Sequence, residues 1–204
     1  MAFDPRKKLF LSPDSGETTR RDAETRFKGT KMNPTEIEKL LSGGDLRSIG
    51  KNYEIIAGVK DQAGFDALFK FLYHGDSRFV LRAADAIEKI SVTKPGYLDK
   101  HKKAILNLCS KVNEIGLQWH LALLLPRLKL TDKEFEYAWT MLTGWVLDKF
   151  NSRIVRVNSI QGLFEMIKLK NERAGDFNRI VAGIETENIP SLQARIRLLK
   201  QVAI

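Results

Sequence analysis

Arg82, Lys89, His120, Arg127, Arg153, Arg156, Arg195, Arg197 and Lys200 are the side chains of this chain best suited to bind something. All of them fall in stretches with helical apolar spacing. Cations strung along stacked helices can follow a phosphate backbone or grip an acidic peptide, because each contact releases a counterion or pairs a carboxylate. The plainer use of the same residues is a solvated surface laced with salt bridges between helices.

The overall charge gives the binding use its weight. The 204 residues carry 34 Lys and Arg against 25 Asp and Glu, a formal net charge of +9. Residues 1–32 hold eight of the former and five of the latter, which leaves +6 on residues 33–204. A surplus of that size favours nucleic acid, an acidic peptide or an anionic membrane surface, without choosing among them.

Other chemistry has less to stand on. Cys109 is the only cysteine, so no internal disulfide or thiolate metal cluster can form, and its setting in AILNLCSKV predicts a buried structural thiol. His74, His101 and His120 show no ligand spacing, and neither a metal nor a cofactor is expected. The chain contains no GxxxxGK[ST], GxGxxG, HExxH or GxSxG. Trp119, Trp139 and Trp145 at helical spacing read first as core. Trp145 and Asp148 in GWVLDKF share one side of a helix, and they are the one pair that could serve an enzyme.

The elements that position these residues are helices in pairs. Residues 1–32 show no sustained periodicity and read as a basic, flexible tail; within it RKKLFLSP has the form of a linear docking segment, or Leu9, Phe10 and Leu11 pin the tail to the first helix. Asn33-Pro34-Thr35-Glu36 predicts a helix start. That helix should end at Gly43-Gly44, with Asp45 capping a second in which Leu46, Ile49, Tyr53 and Ile56 share a face. The next pair carries Phe65, Leu68, Phe69 and Leu72, then Val80, Ala83, Ala84, Ile87 and Ile90. A third pair carries Leu98, Ile105, Leu108 and Val112, then Leu121, Ala122, Leu125 and Leu128, with Pro126 set to kink what should be the central helix or to leave a carbonyl unpaired.

Thr131-Asp132-Lys133-Glu134 predicts a capping box for a helix with Phe135, Ala138, Trp139, Leu142, Val146 and Leu147 inward. NSRIVRVNSIQGLFEMIK follows, with Val155, Ile160, Leu163, Phe164 and Ile167 on one face. A more polar fifth pair, with Phe177, Ile180 and Ile184 and then Leu192, Ile196, Leu199 and Val202, should cap the stack. Ile87, Leu125 and Leu163 are equivalent anchors 38 residues apart, which argues for a stacked-helix repeat.

SRIVRVNSIQGLFEMI resembles the second helix of a HEAT repeat, with its Val-Arg pair at Val155-Arg156 and the leucine seven residues on at Leu163. SRFVLRAADAIEKI is similar but lacks the Val-Arg pair. The resemblance covers residues 33–204 and implies an all-α fold, a right-handed α-α superhelix forming a short solenoid of about five helix pairs. It also implies that second helices line a concave binding face, on which the cations above would lie, and that the arginine of the Val-Arg pair can instead bond an acid of a neighbouring repeat. It implies no chemistry, because fold does not set function.

The expected function is a non-catalytic scaffold binding a protein or acidic peptide through Arg82, Lys89, His120, Arg127, Arg153, Arg156, Arg195 and Arg197. A nucleic-acid binder is the alternative, including the DNA alkylation-repair glycosylases that are built from HEAT-like repeats and use tryptophans and an aspartate on a basic face. A third option is an accessory subunit packing an apolar outer face on a larger complex. With 43% hydrophobic and 29% charged residues, no apolar run near the roughly 18 residues that span a bilayer, and no apolar segment after the basic residues of MAFDPRKKLFLS, an intracellular, cytoplasmic protein is expected.

Overall fold

The computed structural model describes residues 32–42 and 51–202, and among them ten α-helices and four 3-10 turns occur with no strand. The RKKLFLSP segment, the Gly43-Gly44 stop, Asp45, Leu46 and Ile49 lie outside the described residues. The chain divides into two compact units between Ile90 and Ser91.

In the first unit, α1 spans Pro34–Leu41. It starts where the sequence predicts, because the Asn33 side chain accepts the Glu36 amide at 2.9 Å and Pro34 occupies the first helical position, where no amide is needed. α2 spans Asn52–Gly58 and turns Ile55 and Ala57 inward, leaving Tyr53 and Ile56 half-buried. α3, Gln62–Phe69, is capped by Asp61 and tightens into a 3-10 turn through Tyr73; α1 packs on both α2 and α3. Phe65, Leu68, Phe69 and Leu72 are buried, as are Val80, Ala83, Ala84, Ile87 and Ile90 of α4, Ser77–Thr93.

The second unit contains three helix pairs. They are α5 (Lys102–Lys111) with α6 (Ile115–Leu124), α7 (Asp132–Leu147) with α8 (Arg153–Leu169), and α9 (Ala174–Glu185) with α10 (Pro190–Val202). Pro126 ends α6 rather than bending it. The α-helical bonding stops with the Leu125 amide on Leu121, and Leu125–Arg127 form a 3-10 turn, since proline has no amide to continue the ladder. α7 opens with the capping box: the Glu134 amide donates to Thr131 Oγ1 at 3.4 Å while the Thr131 amide donates to Glu134 Oε2 at 2.8 Å.

Successive pairs run in the same sense. Lys102 bonds Glu134 and the Tyr137 hydroxyl donates to the Leu106 carbonyl, so α5 and α7 lie parallel. Arg156 of α8 bonds Glu187 just before α10, and Arg195 of α10 bonds Gln161, so α8 and α10 lie parallel too. The most enclosed helix of the second unit is α8 and not α6, the helix that the sequence places at the centre: α8 packs against α6, α7, α9 and α10. Gly162 makes that possible, because a Cβ there would stand 2.6 Å from the Ala122 carbonyl oxygen of α6 and 3.1 Å from Leu142 of α7. The anchors Ile87, Leu125 and Leu163 are all fully buried. Ile167 and Ile180 are only half-buried, while Leu147 and Val202, each the last residue of its helix, have run past the neighbours that would cover them and are exposed.

Candidate binding surface

The cations singled out by sequence divide sharply by position. Arg156 is 1% exposed; its Nε donates to the Val146 carbonyl and its Nη2 to Glu187 Oε1, both at 2.8 Å. It serves as the bolt between the last two pairs, and packing on four sides of α8 is what turns it inward. Arg82 is likewise buried and donates to the Leu41 carbonyl. His120, expected on the same face, is buried as well. Steps of 38 residues carry Arg82 to His120 and on to Asn158, which is also buried and donates to the Ile154 carbonyl at 2.9 Å. That polar position therefore points into helix packing each time, and a ligand at the surface cannot reach Arg82, His120 or Arg156.

Three more are half-buried and bonded. Lys89 pairs with Asp85 at 2.8 Å and lies over the Tyr53 ring. Asn52 holds the same carboxylate at 2.7 Å. Arg127 donates to Ser91 Oγ at 2.7 Å. Arg195 donates to Gln161 at 2.7 Å, and burial holds its pKa below the ordinary arginine value. Lys200, though exposed, pairs with Glu185 at 2.7 Å. Arg153 and Arg197 are exposed, and no ion pair among the described residues takes them up.

Sequence periodicity missed the apolar residues beside them. Ile154 and Leu198 adjoin the two exposed arginines and are themselves exposed. In the turn between α7 and α8, Phe150 is 100% exposed and Leu147 50%. The turn is held by the Phe150 amide donating to Asp148 Oδ1 at 2.9 Å and the Asn151 amide to the Asp148 carbonyl at 3.1 Å. An aromatic residue inside the polar turn DKFNS was the available signal, since such turns are built on the surface by their Asx residues.

Nothing comparable assembles around the enzymatic candidates. Trp139 and Trp145 are buried, and Trp139 stacks on Phe135 with ring centroids 6.3 Å apart. Asp148 is exposed and engaged by its own turn, so it shares no cleft with Trp145. Burial pushes the Cys109 thiol up to about 12, far from a thiolate at neutral pH. Two cavities are described: an open hollow of about 370 Å³ between α5 and α7, lined by Leu106, Lys133 and Tyr137, and a cleft of about 80 Å³ among Phe164, Phe177, Val181 and Ile196. Among the described residues no cluster of three His, Cys, Asp or Glu could hold a metal, and no helix is long and apolar enough to cross a membrane.

No family model, curated protein or solved structure matches this chain. The charge itself is unevenly placed. Residues 33–90 hold eight Lys and Arg against nine Asp and Glu, whereas residues 91–204 hold 18 against 11. The basic surplus outside residues 1–32 therefore belongs to residues 91–204.

Proposed function

We propose that this chain is a non-catalytic helical-repeat scaffold of the HEAT type, a short right-handed solenoid, which binds an acidic segment of a protein partner along its second helices. The observation that carries this reading is the alignment of α8 and α10 by Arg156–Glu187 and Arg195–Gln161, with Arg153 and Arg197 left exposed beside Ile154 and Leu198. A charge beside an aliphatic side chain suits a peptide that alternates acids with apolar anchors. Burial of Trp139 and Trp145 takes support away from the accessory-subunit reading, which needed them outside.

The basic surplus of residues 91–204 favours a second reading, binding of nucleic acid. Its glycosylase form draws no support from Trp145, which is packed in the core. Fluorescence anisotropy separates the two, with a labelled Glu- and Leu-containing peptide and a labelled DNA duplex as probes at about 50 mM salt, where electrostatic contacts are strongest. The scaffold reading expects the peptide to bind and the Arg153→Glu/Arg197→Glu variant to lose about tenfold in affinity, since each exposed pair is worth up to about 1 kcal/mol. Duplex binding with a steep salt dependence and no peptide binding would overturn it.

A further inference from the structure

We propose that the turn between α7 and α8 is an interfacial anchor that seats the second unit on an anionic lipid surface. This goes beyond the acidic-segment reading, with which it shares Arg153 and Ile154 at the start of α8. Because α5 runs parallel to α7, and α8 parallel to α10, the turns inside the three pairs come to one end of the unit. At that end Leu147, Phe150 and Ile154 are exposed on the middle turn, and Ile115 is exposed on the turn before it. The close approach of Gly162 to Ala122 sets Ile115 level with the start of α8. Phe150 is fully exposed and the other three about half exposed, and such a cluster suits the boundary of headgroups and acyl chains, whereas a protein partner would have to supply a matching pocket.

The charges at this end point the same way. Four acids stand at this end: Glu114 accepts the Gly116 and Leu117 amides at 3.0 and 2.5 Å, Asp148 accepts the Phe150 amide at 2.9 Å, Glu187 accepts from Arg156 at 2.8 Å, and Glu185 pairs with Lys200 at 2.7 Å. Its exposed cations Lys111, Lys149 and Arg153 enter no ion pair among the described residues. At the opposite end Lys102, Lys129, Lys170 and Arg173 meet Glu134, Asp99, Asp132 and Glu136. One end of the unit is thus stitched by ion pairs, while the other presents Lys111, Lys149 and Arg153 outside any ion pair among the described residues, around exposed apolar side chains and against the carboxylates of Glu114 and Asp148. That combination is what an anionic leaflet attracts and accommodates.

The test is co-sedimentation of the full chain with phosphatidylcholine vesicles with and without about 30% phosphatidylserine, a composition that supplies the negative surface potential. Binding to the anionic vesicles alone is expected. Phe150→Ala should weaken it about tenfold by removing the buried ring, while Phe150→Trp should retain it. Lys149→Glu/Arg153→Glu should abolish the preference for anionic vesicles. Circular dichroism should show these variants folded, because every altered side chain is exposed. No binding to anionic vesicles, or binding that Phe150→Ala leaves unchanged, would overturn the proposal. So would a Phe150→Ala loss seen only with the acidic peptide, which would assign the turn to the protein partner instead.

Discussion

Arg156 and Glu187 form a 2.8 Å ion pair in which the arginine side chain is 2% exposed and the glutamate 14%. A guanidinium so enclosed depends on its counter-charge. Glu187→Ala is expected to cost about 3 kcal/mol in urea unfolding, the lower end of what an unpaired buried charge costs, because Glu187 keeps some contact with water. In the Arg156→Met/Glu187→Ala double variant the loss should be smaller than the sum of the two single losses. Additive losses would mean that the pair does not couple the last two helix pairs.

Gly162 and Gly144 should respond in opposite directions to alanine. At Gly162 the new Cβ would meet the Ala122 carbonyl at 2.6 Å, backbone that cannot move without separating α6 from α8, so Gly162→Ala should destabilise by about 1–3 kcal/mol. At Gly144, exposed within α7, nothing lies within 4 Å. Gly144→Ala should therefore stabilise by about 0.5–1 kcal/mol through better helix propensity. Thermal unfolding of the two variants beside the parent measures both.

Cys109 should be inert in the folded chain. With the thiol pushed up to about 12 by burial, the thiolate is scarce at pH 8, and Ellman's reagent should react only after denaturant is added. Rapid labelling in native buffer would show that α5 opens locally, contrary to the packing of Cys109.

Glu134 predicts an acid-side effect. The hydrogen bond from Lys102, helped by the Thr131 amide, lowers its pKa from an ordinary 4.5 to about 2. A folded pKa below the unfolded one stabilises fully above the unfolded value and loses that stabilisation as pH falls through the folded value. The melting-temperature difference between the parent and Glu134→Gln should therefore be widest above about pH 4.5 and close toward pH 2. A difference that stays constant across that window would disconnect the capping box from the titration.

Much of the helical framework was legible because it is local or periodic. Asn33 and Thr131 cap helices through residues three positions away, and Ile87, Leu125 and Leu163, spaced 38 residues apart, are all fully buried, although Leu125 lies in the 3-10 turn that Pro126 imposes in place of the expected kink. The binding surface was far less legible. A period of 3.6 residues locates a side chain around one helix but not relative to the neighbours that surround that helix. Arg156 and Arg153 both looked like surface cations; four packed neighbours and a glutamate 31 positions away buried the first, while the second, at the open start of the same helix, stayed in solvent. Residue type and spacing thus set where helices begin, end and repeat. Which charges remained for a partner was decided by packing and pairing between residues distant in the chain, and that exists only once the helices are assembled.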